Sequence, residues 1–128
     1  MGNIVFWIFM LVFMLLIPLI MIFFGIKFQK TPPNNINWAY GYRTERSMKN
    51  RDTWVFAHNC IGRLWQSWGI ILTLISVIPM FFVLGADVDK VGYLVIAITV
   101  LQLVFMIIPI FIVESRLKKT FDKYGRRK

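Results

Sequence analysis

The sequence predicts an all-α integral membrane protein, a three-helix bundle with a structured cytoplasmic loop between its first two spans. Of the 128 residues, 58% are hydrophobic and only 16% are charged. A soluble domain of this length buries only roughly two-thirds of its unfolded surface, so it could not hide that much apolar side chain. The charged residues are also excluded from three long runs, a pattern typical of membrane spans separated by polar loops. These observations exclude an ordinary soluble enzyme, a disordered tail and a disulfide-stapled secreted domain.

The three uncharged runs are the predicted spans of a single membrane domain, residues 1–128. They cover about residues 3–26, 64–86 and 91–113. Each exceeds the roughly 20 residues that an α-helix needs to cross the hydrocarbon core. Each contains one proline, which a membrane bundle tolerates because neighbouring helices can satisfy the freed carbonyl. No basic segment precedes the first run and no small-residue cleavage site follows it, so we expect a retained span and not a signal peptide.

The distribution of basic residues predicts the orientation of the spans. The loop of residues 27–63 and the tail of residues 114–128 each carry seven Lys and Arg, whereas the turn at residues 87–90 carries one. Because basic loops stay in the cytoplasm, we expect the loop and the C-terminus inside and the N-terminus outside. The basic tail is expected to contact anionic lipids of the bilayer. No element that reads nucleic acid accompanies these charges, so a nucleic-acid partner is not expected.

A helical pattern begins near Arg51, ahead of the second predicted span. One face of this helix carries Trp54 and His58, which we expect to pack against residues 40–44. A polar stripe follows another face and consists of Asp52, Asn59, Gln66 and Thr73, with Arg63 four residues after Asn59. A stripe of this kind is expected to face protein or water and not lipid. It is interpreted either as a polar pocket or partner surface, or as interfacial solvation.

His58 is the single histidine and Cys60 the single cysteine of the chain. The two residues lie two positions apart and therefore on different helix faces, and no further cysteine or histidine completes a metal-binding cluster. No metal site and no cofactor are therefore expected. A hydrogen-bonded histidine at the membrane interface is the expected role of His58.

Between the first two spans lies a run of glycine, arginine, hydroxyl and aromatic residues that no general membrane constraint demands. It consists of Asn37-Trp38-Ala39-Tyr40-Gly41-Tyr42-Arg43-Thr44, Ser47-Met48-Lys49-Asn50, Thr53-Trp54, Ala57-His58 and Gly62. The run resembles the SdpI/YfhL family of bacterial membrane proteins, which is marked by a Gly-x-Arg-Thr element after the first span of a three-span unit. The resemblance implies a multi-pass protein of the bacterial cell membrane. It also carries over the candidate binding residues Asn37, Gly41, Arg43, Thr44, Ser47 and Trp54, to which the helix pattern adds His58, Asn59 and Arg63.

The best-known member of this family is an immunity protein, which protects its producer from a secreted toxic peptide and captures a repressor at the membrane. The resemblance therefore implies resistance to, or sensing of, a toxic antimicrobial peptide. A peptide toxin and a cytoplasmic repressor are the partners it implies. That immunity protein has additional spans before the shared unit, and a homodimer of this chain could replace them. Two roles stay open for the carried-over residues, which either bind a ligand or fold the loop.

A small oligomeric transporter or lipid-handling membrane protein is the alternative function. The predicted spans contain no Asp, Glu, Lys or Arg, which disfavours proton-driven exchange but not lipid handling. An enzyme is not expected and no catalytic residue is assigned, because no group of titratable residues has the spacing of a catalytic motif. The titratable residues that could converge at the cytoplasmic interface are Arg43, Glu45, Asp52, His58 and Glu114.

Overall fold

The computed structural model describes residues 2–37 and 40–128, so Trp38 and Ala39 of the family-like run lie outside the described residues. The helices are α1 (Gly2–Met14), α2 (Leu16–Lys30), α3 (Arg51–Phe82) and α4 (Val88–Thr120). Leu15 keeps helical backbone angles, so α1 and α2 form one rod. Among the described residues, three helices are long and apolar enough to cross a membrane, namely Gly2–Lys30, Arg51–Phe82 and Val88–Thr120. The predictions of an all-α fold and of a multi-pass membrane protein are confirmed.

The junction of α1 and α2 is set by a proline. Pro18 has no N–H, so the carbonyl of Met14 lacks the helical donor four residues later. Gln102 of α4 supplies a replacement, because its Nε2 donates to the Met14 carbonyl at 2.9 Å and to Ser76 Oγ at 3.0 Å. Both Gln102 and Ser76 are fully buried. A polar side chain from a distant helix thus satisfies the backbone group that the proline frees.

Helices α2 and α3 pack closely through two facing glycines. A Cβ atom at Gly25 would lie 2.8 Å from the carbonyl oxygen of Gly62, and one at Gly62 would lie 2.6 Å from the carbonyl oxygen of Gly25. Small residues allow such backbone contact, which is a common way of joining membrane helices. Beside this contact, Gln29 Nε2 donates to Gln66 Oε1 at 2.6 Å. At Gln66, the expectation that the polar stripe faces protein or water and not lipid is confirmed.

Each of the two longest helices begins at a side-chain cap. Asn50 accepts the Thr53 N–H at 2.9 Å and the Asn50 N–H donates to Thr53 Oγ1 at 3.1 Å, which makes a reciprocal capping box for α3. Asp87 caps α4 by accepting the Lys90 N–H at 2.9 Å. The start of α3 at Arg51 agrees with the predicted helical pattern. Its end at Phe82 precedes a short turn of residues 83–87 that leads into α4.

The buried side chains form two clusters at opposite ends of the bundle. The loop-end core lies next to the α2–α3 loop. It comprises Phe28, Tyr42, Ala57, Cys60, Ile61, Val113, Leu117 and Phe121. The turn-end core lies beside the α3–α4 turn and comprises Trp7, Met14, Met80, Val91 and Ile98. Most other apolar side chains of the helices are exposed, as expected for surfaces that contact lipid.

After α4 the chain turns back and closes over the start of α3. Phe121 is buried, and the Lys128 N–H donates to the Thr120 carbonyl at 3.0 Å. The guanidinium of Arg127 makes a two-pronged contact with Asp52, with N···O distances of 2.8 and 2.9 Å. Contact of the remaining basic tail residues with anionic lipid stays a prediction.

Candidate functional site

The family-like run lies against the first turns of α3 at a glycine. Gly41 has a φ of +112°, a backbone conformation that residues other than glycine rarely adopt. A Cβ atom there would lie 2.7 Å from His58 Nε2 and 3.2 Å from the Trp54 ring. The next backbone N–H, that of Tyr42, donates to His58 Nε2 at 2.8 Å. The expected packing of Trp54 and His58 against this segment is confirmed.

His58 is a buried residue with both ring nitrogens bonded. Because Nε2 accepts from Tyr42, the ring proton lies on Nδ1, which donates to the Trp54 carbonyl at 2.7 Å. The ring makes an edge contact with Phe28 at a centroid distance of 4.9 Å, and Trp54 lies 4.3 Å away. The arrangement needs the neutral imidazole, because a protonated ring could not accept the Tyr42 N–H. The expectation of a hydrogen-bonded histidine is confirmed.

A carboxylate of α4 binds two hydroxyls of the family-like run. Glu114 Oε2 accepts from Tyr42 Oη at 2.6 Å and from Thr44 Oγ1 at 2.9 Å. Burial raises the pKa of the Tyr42 phenol far above its usual value, and the Glu114 hydrogen bond and charge raise it further. The phenol therefore stays protonated and keeps donating to the carboxylate. This pair joins the loop to α4 across the loop-end core.

Ser47 is the buried centre of the turn that follows. Its Oγ accepts the Thr44 N–H at 2.9 Å and lies 3.0 Å from the carbonyl oxygens of Tyr42 and Thr44. The Ser47 carbonyl accepts from Thr53 Oγ1 at 3.0 Å. Ser47 therefore links the family-like run to the capping box of α3. The cap itself is Asn50, whose side chain accepts the Thr53 N–H.

Two side chains of α3 hold the beginning of the loop. Trp54 Nε1 donates to the Pro33 carbonyl at 2.9 Å. The Arg51 guanidinium donates to the same carbonyl at 3.0 Å and also to the Asn34 carbonyl. Asn37 Oδ1 accepts the Tyr40 N–H at 2.6 Å. The loop is thus tied down along most of its described length.

Beside this network lies an apolar groove between α2, the loop, α3 and α4. Its volume is about 450 Å³, within the range of small-molecule sites. The groove is lined by Ile20, Phe24, Phe28, Tyr40, Gly41, Tyr42, Arg43, Thr44, Ile61, Trp65 and Ile110. Arg43 and Thr44 also line an adjoining cavity of about 540 Å³, together with Ile36, Glu45 and Met48. Arg43 therefore lies where an apolar and a more polar compartment meet.

The predicted site residues divide into two groups. Gly41, Thr44, Ser47, Trp54 and His58 belong to one hydrogen-bonded and packed unit, and Arg43 lies at the groove beside it. Asn37 shapes the loop before that unit. Asn59 and Arg63 do not line the groove; Asn59 is half-buried, and exposed Arg63 donates to its carbonyl at 3.3 Å. The other stripe residue at this end, Asp52, binds Arg127.

The sequence interpretation missed the contribution of α2. Ile20, Phe24 and Phe28 form one wall of the groove, and their spacing of four residues is a signal that could have identified a common face. The pairing of Tyr42 with Glu114 has no local signal, because the two residues are 72 positions apart. Among the described residues no three His, Cys, Asp or Glu side chains are grouped so as to hold a metal ion.

Comparisons with known proteins identify the family of the chain. The sequence profile of the SdpI/YfhL protein family matches residues 34–113, which include the whole unit described above. The uncharacterized protein YfhL of Bacillus subtilis (strain 168) is 32% identical over 103 residues, covering 77% of this chain and 80% of that protein. No solved structure matches the chain. The match covers more than half of the sequence, and the chain belongs to the SdpI/YfhL family.

Proposed function

We propose that this membrane protein gives its cell resistance to, or senses, a toxic antimicrobial peptide, and that it does so by binding and not by catalysis. Membership of the SdpI/YfhL family supports the proposal, since the resemblance noted above implies an immunity role. One structural observation carries it further. The family-like residues form a single bonded unit beside an apolar groove, with Arg43 in the groove wall.

The bonding of the titratable groups supports binding as the mode of action. Both nitrogens of His58 are occupied, and Glu114 accepts two hydroxyl hydrogen bonds. General acid–base catalysis needs a group that can exchange its proton with a substrate in reach. Groups held this way are suited instead to fixing the shape of the groove. A peptide is the proposed ligand, and a repressor and a second copy of the chain are further proposed partners.

The proposed orientation has the N-terminus outside and the C-terminus in the cytoplasm. It rests on the basic residues, seven in each predicted cytoplasmic segment against one in the α3–α4 turn. A membrane-impermeant thiol reagent added outside cells tests it in a Cys60→Ala background. The reagent should label Asp89→Cys and leave Lys123→Cys unlabelled. The opposite labelling pattern would contradict the orientation.

The functional test compares two arginines. Cells that lack this protein, complemented with wild-type or variant chains, are exposed to concentrated culture supernatant of the source strain. Arg43→Ala should abolish protection while the protein accumulates normally and keeps its thermal stability in detergent. Arg63→Ala is the matched control, because Arg63 is exposed and lies away from the groove. It should protect as well as the wild type.

A lysine at position 43 separates charge from geometry. Arg43→Lys keeps the positive charge but loses the planar fork that binds carboxylates and phosphates through two hydrogen bonds. We expect partial protection from this variant. Survival of Arg43→Ala cells at the wild-type level would refute a role of Arg43 in protection. Loss of protection that accompanies loss of the protein from the membrane would show that Arg43 acts only in folding.

A further inference from the structure

We propose that the apolar groove holds one acyl chain of an anionic phospholipid, whose phosphate is bound by Arg43. The inference goes beyond protection against a peptide and does not depend on it. Lipid binding at this groove would stand even if the protein protected against no toxin. Four features of the groove support it.

The first feature is the apolar body of the groove. Ile20, Phe24 and Phe28 follow one face of α2 at four-residue spacing and extend about 12 Å along the helix. Ile61 and Trp65 of α3 also line the groove. A lining of this length along one helix suits an acyl chain. Its volume of about 450 Å³ falls in the usual range for ligand sites.

The second feature is that the groove opens towards the surface that contacts hydrocarbon. Ile20 lines the groove and is 48% exposed. Phe23 of α2 and Phe111 of α4 lie next in sequence to groove-lining residues and are 59% and 68% exposed. An acyl chain could therefore enter sideways from the bilayer without crossing water.

The third feature is the positive charge at one end. Arg43 lines both the apolar groove and the adjoining cavity, so this cationic residue lies where a chain compartment and a headgroup compartment meet. Lys27 Nζ lies 5.6 Å from the ring centroid of Tyr40, another groove residue. No acidic side chain is among the described residues that line the apolar groove. Glu45 lines the adjoining cavity, but its side chain is 93% exposed and pairs with Lys49 at 4.0 Å.

The fourth feature is that two backbone amides of the groove wall already have partners. Here the Tyr42 N–H is bonded to His58 and the Thr44 N–H is bonded to Ser47. These two amides are therefore not available to any occupant of the groove, which must be held by apolar contacts and by Arg43. An apolar chain needs no such partners, and an anionic headgroup needs the arginine.

Competition between two lipids tests the proposal. The purified full-length chain in detergent is given equal amounts of phosphatidylglycerol and phosphatidylcholine with the same acyl chains, and bound lipid is counted by native mass spectrometry. We expect one retained phosphatidylglycerol per chain. Arg43→Gln should lower the ratio of retained phosphatidylglycerol to phosphatidylcholine by about tenfold, the effect of losing one charge-assisted hydrogen bond. The matched control Arg63→Gln should leave the ratio unchanged.

A second measurement locates the acyl chain. Phosphatidylglycerol brominated on its acyl chain should quench the fluorescence of Trp65, and the quenched signal should be missing in Trp65→Phe. Inorganic phosphate at the same concentration should change neither measurement. The proposal is overturned by equal retention of the two lipids, by a ratio that Arg43→Gln does not change, or by quenching that is identical in Trp65→Phe. It is also overturned if free phosphate alone removes the lipid preference, since the site would then hold a phosphate ion.

Discussion

The two ends of the bundle differ in how the connection between two helices is held in place. At the loop end, 20 residues lie between α2 and α3, and they are fixed by hydrogen bonds that His58 and Glu114 accept and that Ser47 donates. At the turn end, five residues suffice between α3 and α4, and Trp7 Nε1 donates a long-range hydrogen bond to the Met80 carbonyl at 2.7 Å. A long connection has more conformational entropy to lose, so it needs more fixed contacts. The polar residues of this family member are therefore concentrated where the loop must keep one shape.

A pair of glycine substitutions should give the largest difference in the free energy of unfolding between the two ends. Gly41→Ala is expected to lower the free energy of unfolding by about 3 kcal/mol or more, because it combines backbone strain with displacement of His58. Gly85, in the α3–α4 turn, also has positive φ, +78°, but a Cβ atom there meets nothing within 4 Å. Gly85→Ala should therefore lower the free energy by only about 1–2 kcal/mol. Denaturant unfolding in detergent measures both, and equal losses would contradict the comparison.

Removing one hydrogen bond at each end should give the next largest difference. His58→Leu leaves the Tyr42 N–H buried without its acceptor, so the expected loss of unfolding free energy is about 1–3 kcal/mol. Trp7→Phe keeps an aromatic ring at the turn end. The Met80 carbonyl still accepts the Val83 N–H at 3.2 Å in that variant, and the expected loss is about 1 kcal/mol. A larger loss in Trp7→Phe would show that the turn end depends more on hydrogen bonding than its contacts indicate.

The N-caps of α3 and α4 provide a third comparison between the two ends. Asn50 caps α3 and its Nδ2 also donates to the Gly125 carbonyl at 2.7 Å, so Asn50→Ala removes a cap and a tertiary contact. We expect a loss of about 1–2 kcal/mol from it, against about 0.5–1 kcal/mol for Asp87→Ala, which removes only an exposed cap. Thermal unfolding of the two variants side by side is the measurement. Indistinguishable midpoints would mean that the Gly125 contact contributes nothing.

Alkaline titration of the tyrosines is expected to show the smallest difference between the wild type and a variant. Because the pKa of Tyr42 is raised far above its usual value, its phenol should not ionise near pH 10 in the folded protein. The tyrosinate absorbance that develops near pH 10 should therefore be the same in wild type and Tyr42→Phe. The stabilisation that accompanies the raised pKa is present below about pH 10 and is lost as the pH rises further. A smaller tyrosinate signal in Tyr42→Phe at pH 10 would contradict the buried hydrogen bond to Glu114.

Local patterns in the sequence predicted a good part of this structure. The apolar runs predicted the three membrane-crossing helices, and residue spacing predicted the start of α3 and the packing of Trp54 and His58 on the loop. These features depend on neighbours within a few residues of each other. The partnership of Gln102 with Met14 and that of Glu114 with Tyr42 join positions 88 and 72 residues apart. Such pairs are decided by how the helices pack, and no spacing within one helix reveals them.

The bond between Gln102 and the Met14 carbonyl also bears on how the protein is made. The first hydrophobic segment leaves the ribosome with a carbonyl that Pro18 has deprived of its donor, and the replacement lies 88 residues downstream. At about 5–20 residues synthesised per second, that donor is polymerised about 4–18 s later. During this interval the nascent segment has an unsatisfied polar group, which favours its staying beside the insertion machinery until α4 arrives. Ribosome arrest before and after codon 102, with crosslinking to the translocation channel, would measure that residence.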